Sequence, residues 1–214
     1  MAGIYIHFPF CMQKCDYCDF FSDVPGNRPE LYMQALKKEI SLRREDPHFK
    51  ALSFSTLYFG GGTPSLLEPE QVKYILDAIR ADLILTPDAE ITLEANPGTL
   101  SKEKLESFFE LGVKRLSLGV QSFRDNELQL LGRMHQANEA EQAIQWARDT
   151  GFSNLSLDFI YGLPGQSWED FQKTLQKAVS FEPQHLSLYA LSWSEHTKLG
   201  LKIIEQSVPK PIDI

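Results

Sequence analysis

The residues best suited to chemistry crowd near the start of the chain. All three cysteines of its 214 residues fall inside CMQKCDYC, at Cys11, Cys15 and Cys18. Thiolates are soft ligands that suit zinc or iron–sulfur clusters. A closed tetrahedral zinc site takes four protein ligands, so His7, Asp16 or Asp19 would have to supply the fourth. A 4Fe–4S cube has four iron corners, and three cysteines on one tight loop can hold three of them. The fourth iron then stays open to a small molecule. No well-spaced fourth zinc ligand is evident, which favours the cluster. Three adjacent cysteines also argue against a disulfide framework and for a reducing compartment.

A second unusual stretch, YFGGGTPS, places Gly60, Gly61 and Gly62 in succession, with Pro64 fixing the exit. Without Cβ atoms the main chain can approach a ligand closely and offer its own C=O and N–H groups. This is not a phosphate loop of the familiar kinds: it has no GxGxxG, and no Lys-Ser or Lys-Thr follows the glycines. Further along, polar residues interrupt apolar runs. Glu94 lies in LEANPG, Gln121 in LGVQSF and Asp158 in LDFIYGLPGQ, while LSLYALSW carries Tyr189 and Ala190. A lone polar group of this kind is ordinarily satisfied by its neighbours. Recurrence at corresponding places points instead to one shared ligand.

The places correspond because strand-like and helical runs alternate. Strands are expected at Ile4–Phe8, Thr56–Phe59, Glu90–Ala95, Arg115–Val120, Leu155–Ile160 and His185–Leu191. Helical patterns cover Glu30–Arg44, Glu70–Leu83, Lys102–Leu111, Glu139–Thr150 and Trp168–Ser180. Asn138 and Ser167 are the expected N-caps, Glu141 completes a capping box behind Asn138, and Gly112 and Gly151 are stops. Six strand–helix units predict an α/β fold with a parallel sheet and crossover helices. An eight-unit barrel takes about 250 residues, so six units predict a partial, TIM-like (β/α)6 barrel. Its ligands should gather at the carboxyl ends of the strands.

At 43% hydrophobic content the chain can bury a substantial core. A net charge of −8 argues against nucleic acid as a partner. Lys37-Lys38 and Arg43-Arg44 are interleaved with acids, as on a solvated helix face. No run approaches the roughly 18 apolar residues of a membrane span, and no signal-peptide pattern opens the chain. A cytoplasmic protein is expected.

With these motifs assembled, the chain resembles the radical S-adenosylmethionine (SAM) superfamily. Within it, the similarity is to the group containing oxygen-independent coproporphyrinogen III oxidase and the haem chaperone HemW. YIHFPFC, CxxxCxxC, YFGGGTPS, LEANPG, LSLGVQSF, LLGRMH, DFIYGLPGQ and LSLYAL carry the resemblance over nearly the whole chain. It implies that Cys11, Cys15 and Cys18 hold a 4Fe–4S cluster whose open iron is chelated by the amino and carboxylate groups of SAM. Reductive cleavage of a carbon–sulfur bond would then give a 5′-deoxyadenosyl radical, which needs a shielded site. The resemblance implies positions flanking the cluster and SAM for Tyr5 and Tyr17, and a methionyl cradle at Gly61, Gly62 and Thr63. It implies further SAM contacts at Glu94, Gln121, Arg133, Asp158 and Ala190. Asp158 suits ribose hydroxyls and Arg133 a carboxylate. The group can hold one or two SAM molecules, and His7 matches a position open to a catalytic role.

The oxidase pattern carries a fourth cysteine, CxxxCxxCxC, where this chain has Phe20. That departure resembles the chaperone branch. It implies haem or porphyrin as partner, handover to an acceptor protein, and an electron donor for the cluster. The alternative is the oxidase, which decarboxylates two propionates of coproporphyrinogen III, so an enzymatic role stays open. Members of the group continue well past the sixth strand, and the HNxxYW haem motif of some relatives is missing here. Residues 1–200 are therefore expected to form the core domain, and 201–214 to begin a linker to a C-terminal region absent from the chain. His48, His135, His185 and His196 are conceivable haem ligands. An inactive truncated fragment is the third expectation.

Overall fold

Every expected strand is present, and the helices between them return the chain to start the next. The computed structural model describes residues 2–24 and 29–211. Its strands are β1 (Ala2–Phe8), β2 (Ser53–Gly61), β3 (Ile84–Ala95), β4 (Arg115–Gln121), β5 (Asn154–Tyr161) and β6 (His185–Ala190). They form one sheet in the order β1-β2-β3-β4-β5-β6, with every neighbouring pair parallel. Parallel neighbours in chain order are what successive βαβ crossovers produce. Among the described residues β1 and β6 do not pair with each other, so the sheet stays open as a half barrel.

The crossovers are α1 (Pro29–Glu45) with the one-turn α2 (Pro47–Lys50), then α3 (Pro69–Asp82), α4 (Lys102–Glu110), α6 (Ala137–Thr150) and α7 (Trp168–Ser180). Two short helices, α5 (Asp125–Leu130) and α8 (Lys198–Ile204), have too few turns to show a periodic run in the sequence. In α3 the buried Val72, Ile75, Leu76 and Ile79 recur at helical spacing and turn one stripe to the sheet. Leu57, Leu93, Leu116 and Leu157 meet such stripes from the strands, fully buried in one continuous core. Strand alternation then sends their neighbours Glu94, Ser117 and Asp158 to the concave side. The same leucines that hold the sheet therefore aim the polar residues.

Several element boundaries lie one to a few residues from expectation, and two of the larger shifts have a visible physical cause. Helix α6 is capped by Gln136 with Glu139, two residues before Asn138 and Glu141. The Ala137 N–H is satisfied by the Asp125 carboxylate at 2.8 Å, so the helix can begin earlier. Strand β3 begins at Ile84 rather than Glu90. Its early part pairs with β2 through Leu85, and the ladder then skips to Glu90. Pro87 falls inside that irregularity, where its missing N–H costs no ladder bond. Gly151 ends α6 as expected, with φ 107°.

Candidate cluster and cofactor site

A cavity of about 880 Å³ opens at the carboxyl ends of the strands. Every strand contributes to it: His7 from β1, Gly61 from β2, Glu94 from β3, Gln121 from β4, Asp158 from β5 and Ala190 from β6. Cys11, Cys15, Cys18, Tyr5, Tyr17, Gly62, Thr63 and Arg133 line the same space. The structure thus brings together all the residues singled out as ligands, SAM contacts or catalytic candidate. His48, His135, His185 and His196 are not among its lining residues.

The three cysteines sit on a loop that follows β1. Its base is closed by a bridge between Phe10 and Asp23, with the Cys11 N–H donating to the Asp23 carbonyl at 2.9 Å. A tighter turn inside it has the Cys18 N–H donating to the Cys15 carbonyl at 3.2 Å. All three thiols are free and half-buried. The Thr63 hydroxyl donates to Cys11 Sγ and Arg133 Nη1 donates to Cys15 Sγ, both at 3.5 Å. Burial pushes the Cys18 thiol up, with the other two thiols adding to it. Burial likewise pushes the Tyr17 phenol up to about 12.

The zinc alternative fits this geometry poorly. Asp16 is occupied by Lys202 Nζ at 2.8 Å, and the His7 ring lies between the Tyr5 hydroxyl at 3.1 Å and the Phe21 carbonyl at 3.3 Å. Three thiols on one loop, two of them accepting hydrogen bonds at sulfur, are a donor set suited to three corners of an iron–sulfur cube.

Facing the thiols is the glycine strip at the end of β2. Its N–H groups are all used within the protein: Gly61 donates to Glu94 Oε2 at 3.1 Å, Gly62 to the Phe8 carbonyl at 2.7 Å and Thr63 to the Phe10 carbonyl at 2.8 Å. The strip therefore has carbonyl oxygens, not N–H groups, to offer a ligand. A Cβ on Gly62 would stand 2.6 Å from the Phe10 carbonyl oxygen, so this approach requires glycine. Glu94 is fixed from its other oxygen by the Tyr58 hydroxyl at 2.8 Å. Burial raises the Glu94 carboxyl, while those two donors hold it back.

Across the cavity, Asp158 accepts from Ser117 at 2.9 Å and from Ser156 at 3.2 Å. Gln121 adopts φ 66°, a strained conformation for a side chain of its size, placed where β4 meets the cavity. Arg133 donates through Nη2 to the Gly119 carbonyl at 2.8 Å, and its buried Nε has no partner among the described residues. Tyr58 and Ser117 escaped the reading of the sequence. Their signal was the strand alternation, which puts Tyr58 on the face of Gly60, and Ser117 on that of Gly119.

Residues 5–178 match the description "Radical SAM superfamily". The chain belongs to the radical SAM superfamily. Membership implies a 4Fe–4S cluster and SAM as cofactors. Among curated radical SAM relatives, the haem chaperone HemW of Escherichia coli (strain K12) is 41% identical over 200 residues, covering 92% of this chain and 52% of that protein. HemW of Haemophilus influenzae is 38% identical over 205 residues, covering 94% and 53%. The chain spans about half the length of these curated relatives. Among solved structures, coproporphyrinogen III oxidase (HemN) from Escherichia coli superposes with a TM-score of 0.88 and 31% identity, covering 98% of this chain and 48% of that one. Archaeal Elp3 from Methanocaldococcus infernus, 22% identical with a TM-score of 0.67 and covering 86% of this chain and 48% of that one, shares the fold. No helix among the described residues is long and apolar enough to cross a membrane.

Proposed function

We propose that this radical SAM chain forms the cluster- and SAM-holding core of a haem chaperone that binds haem and hands it to an acceptor protein. The observation that carries this reading is Phe20. It stands exposed on the cavity rim, two residues after Cys18, where the oxidase pattern has a fourth thiol. The two HemW relatives support it. Met12, Phe21, Met134 and Tyr189 are also exposed on that rim, an apolar surface suited to the face of a porphyrin.

When bound, the cluster and SAM supply one-electron reduction of a sulfonium. The residues around them divide the holding work. Cys11, Cys15 and Cys18 provide three thiolates. The carbonyls of the Gly61–Gly62–Thr63 strip would accept from the ammonium group of SAM, a donor that only acceptor atoms can serve. Asp158, fixed by two serines, would accept from ribose hydroxyls, and Arg133 would offer its positive charge to a carboxylate. Tyr5, Tyr17, Glu94, Gln121 and Ala190 shape the remaining wall. Among the described residues His7 is the one imidazole lining the cavity, and it is the candidate for moving a proton. The cavity volume leaves room for one SAM or two. The core is taken as residues 1–200, with α8 straddling its end and 201–214 read as the start of a linker, of which 212–214 lie outside the described residues. Free thiols of this kind belong in a reducing compartment such as the cytoplasm.

A second reading, coproporphyrinogen III oxidase, is favoured by the structural likeness to HemN over nearly all of this chain. Anaerobic reconstitution, followed by haem and coproporphyrinogen III in parallel, separates the two. The chaperone reading expects stable haem binding and transfer with little 5′-deoxyadenosine. Decarboxylation without haem binding would establish the oxidase instead, and neither outcome would mark an inactive fragment.

A further inference from the structure

The tip of the cluster loop is held by a residue that the CxxxCxxC pattern leaves unspecified, and by a helix at the other end of the chain. Asp16, between Cys15 and Cys18, is bound on every side. Its N–H donates to the Leu131 carbonyl at 3.0 Å, and its carbonyl accepts from the Leu199 N–H at 2.8 Å. Its carboxylate takes Lys202 Nζ at 2.8 Å and lies 3.8 Å from Lys198 Nζ. It also packs over Gly132, where a Cβ would stand 2.7 Å from Asp16 Oδ1. Leu199, Lys198 and Lys202 all belong to α8, whose Leu199 and Ile203 are buried.

We propose that α8 is a clamp on the cluster loop, and that Asp16 is the positioning residue through which it acts. The inference rests on the reading of Cys11, Cys15 and Cys18 as cluster ligands. The loop has no sheet to stiffen it. The Phe10–Asp23 bridge closes its base, and the Asp16 contacts fix its far end, immediately beside Cys15 and two residues before Cys18. A half barrel open at both edges leaves this loop exposed to solvent, and the clamp limits the excursions through which iron would escape. Asp16 touches no cofactor itself. Its carboxylate is nearly buried but keeps Lys198 at 3.8 Å when Lys202 is removed, so Lys202→Met loosens the tie between loop and helix without leaving a bare charge in the fold.

The test compares Asp16→Asn and Lys202→Met with wild type, using Lys177→Met as the control. Lys177 pairs with Glu141 on the outer helices, and neither lines the cavity. Each chain is reconstituted anaerobically, its iron counted, and the loss of cluster absorbance followed in a ferrous chelator. Melting of the apo form is measured alongside. We expect Asp16→Asn and Lys202→Met to lose their clusters roughly tenfold faster, equivalent to about 1.4 kcal/mol. Their apo melting temperatures should stay near that of the control. Cluster loss at the wild-type rate in Lys202→Met, or loss that merely follows apo melting, would overturn the clamp. A wild-type chain that takes up no 4Fe–4S cluster would instead overturn the ligand reading beneath it.

Discussion

The glycine strip and the cysteine loop face each other across one cavity, yet they are held in opposite ways. The strip is an extension of β2, and its three N–H groups are fixed by Glu94, Phe8 and Phe10 through the sheet and its immediate continuation. The loop lies off the sheet and is fixed by contacts that cross the chain: Asp16 to Leu131, Leu199 and Lys202. Main-chain geometry inherited from a strand is rigid and local. A loop held by contacts from distant elements, one of them the Asp16–Lys202 ion pair, can be loosened at that pair without disturbing the fold.

The sharpest way to break this contrast is Gly62→Ala. Its methyl would meet the N, C and O atoms of Phe10, between 2.6 and 2.9 Å away, and main-chain atoms cannot step aside cheaply. We expect a loss on the order of 3 kcal/mol and a melting temperature lower by about 6–12 °C. No cluster should be retained, since the base of the cysteine loop hangs on the same Phe10. Thermal melting and an iron count check both.

The sheet-held side should also carry a pH dependence of its own. His135 is buried between Asn96 and the Val120 carbonyl, and burial with the nearby Arg133 pushes it down from 6.5 to about 4. The unfolded chain therefore takes up the proton first. Stability contributed by the neutral ring is complete above pH 6.5 and is lost as pH falls from there toward 4. A loss of about 2 kcal/mol at pH 5 follows for this group. Urea midpoints should fall between pH 7 and 5 in wild type and fall less in His135→Gln. A smaller effect is expected from Ser117→Ala, which takes one of the two donors from Asp158. Its cost should be about 1 kcal/mol in urea unfolding, with SAM binding to the reconstituted chain weakened in equilibrium dialysis.

The same contrast explains what could be read in advance. Residues tied to strand ends, such as Glu94, Gln121 and Asp158, were legible because alternation and a parallel sheet carry them to one rim. The cysteines announced themselves by spacing. Gln136 as the cap of α6 was hidden, because Asp125 of α5 satisfies the first helical N–H and so moves the start. Asp16 was visible only as a spare zinc ligand. Its partner Lys202 is 186 residues away, and nothing in local pattern joins two charges across that distance. Tyr58 reads as an ordinary strand aromatic until Glu94 is seen to need a second donor.

The central claim is that three thiols hold a cube with one corner left for SAM. Electron paramagnetic resonance of the reduced, anaerobically reconstituted chain, recorded before and after adding SAM, tests it directly. The account predicts a 4Fe–4S signal that changes when SAM is added and is lost when Cys15 is replaced by serine. A bound zinc ion, or a cluster signal indifferent to SAM, would contradict it.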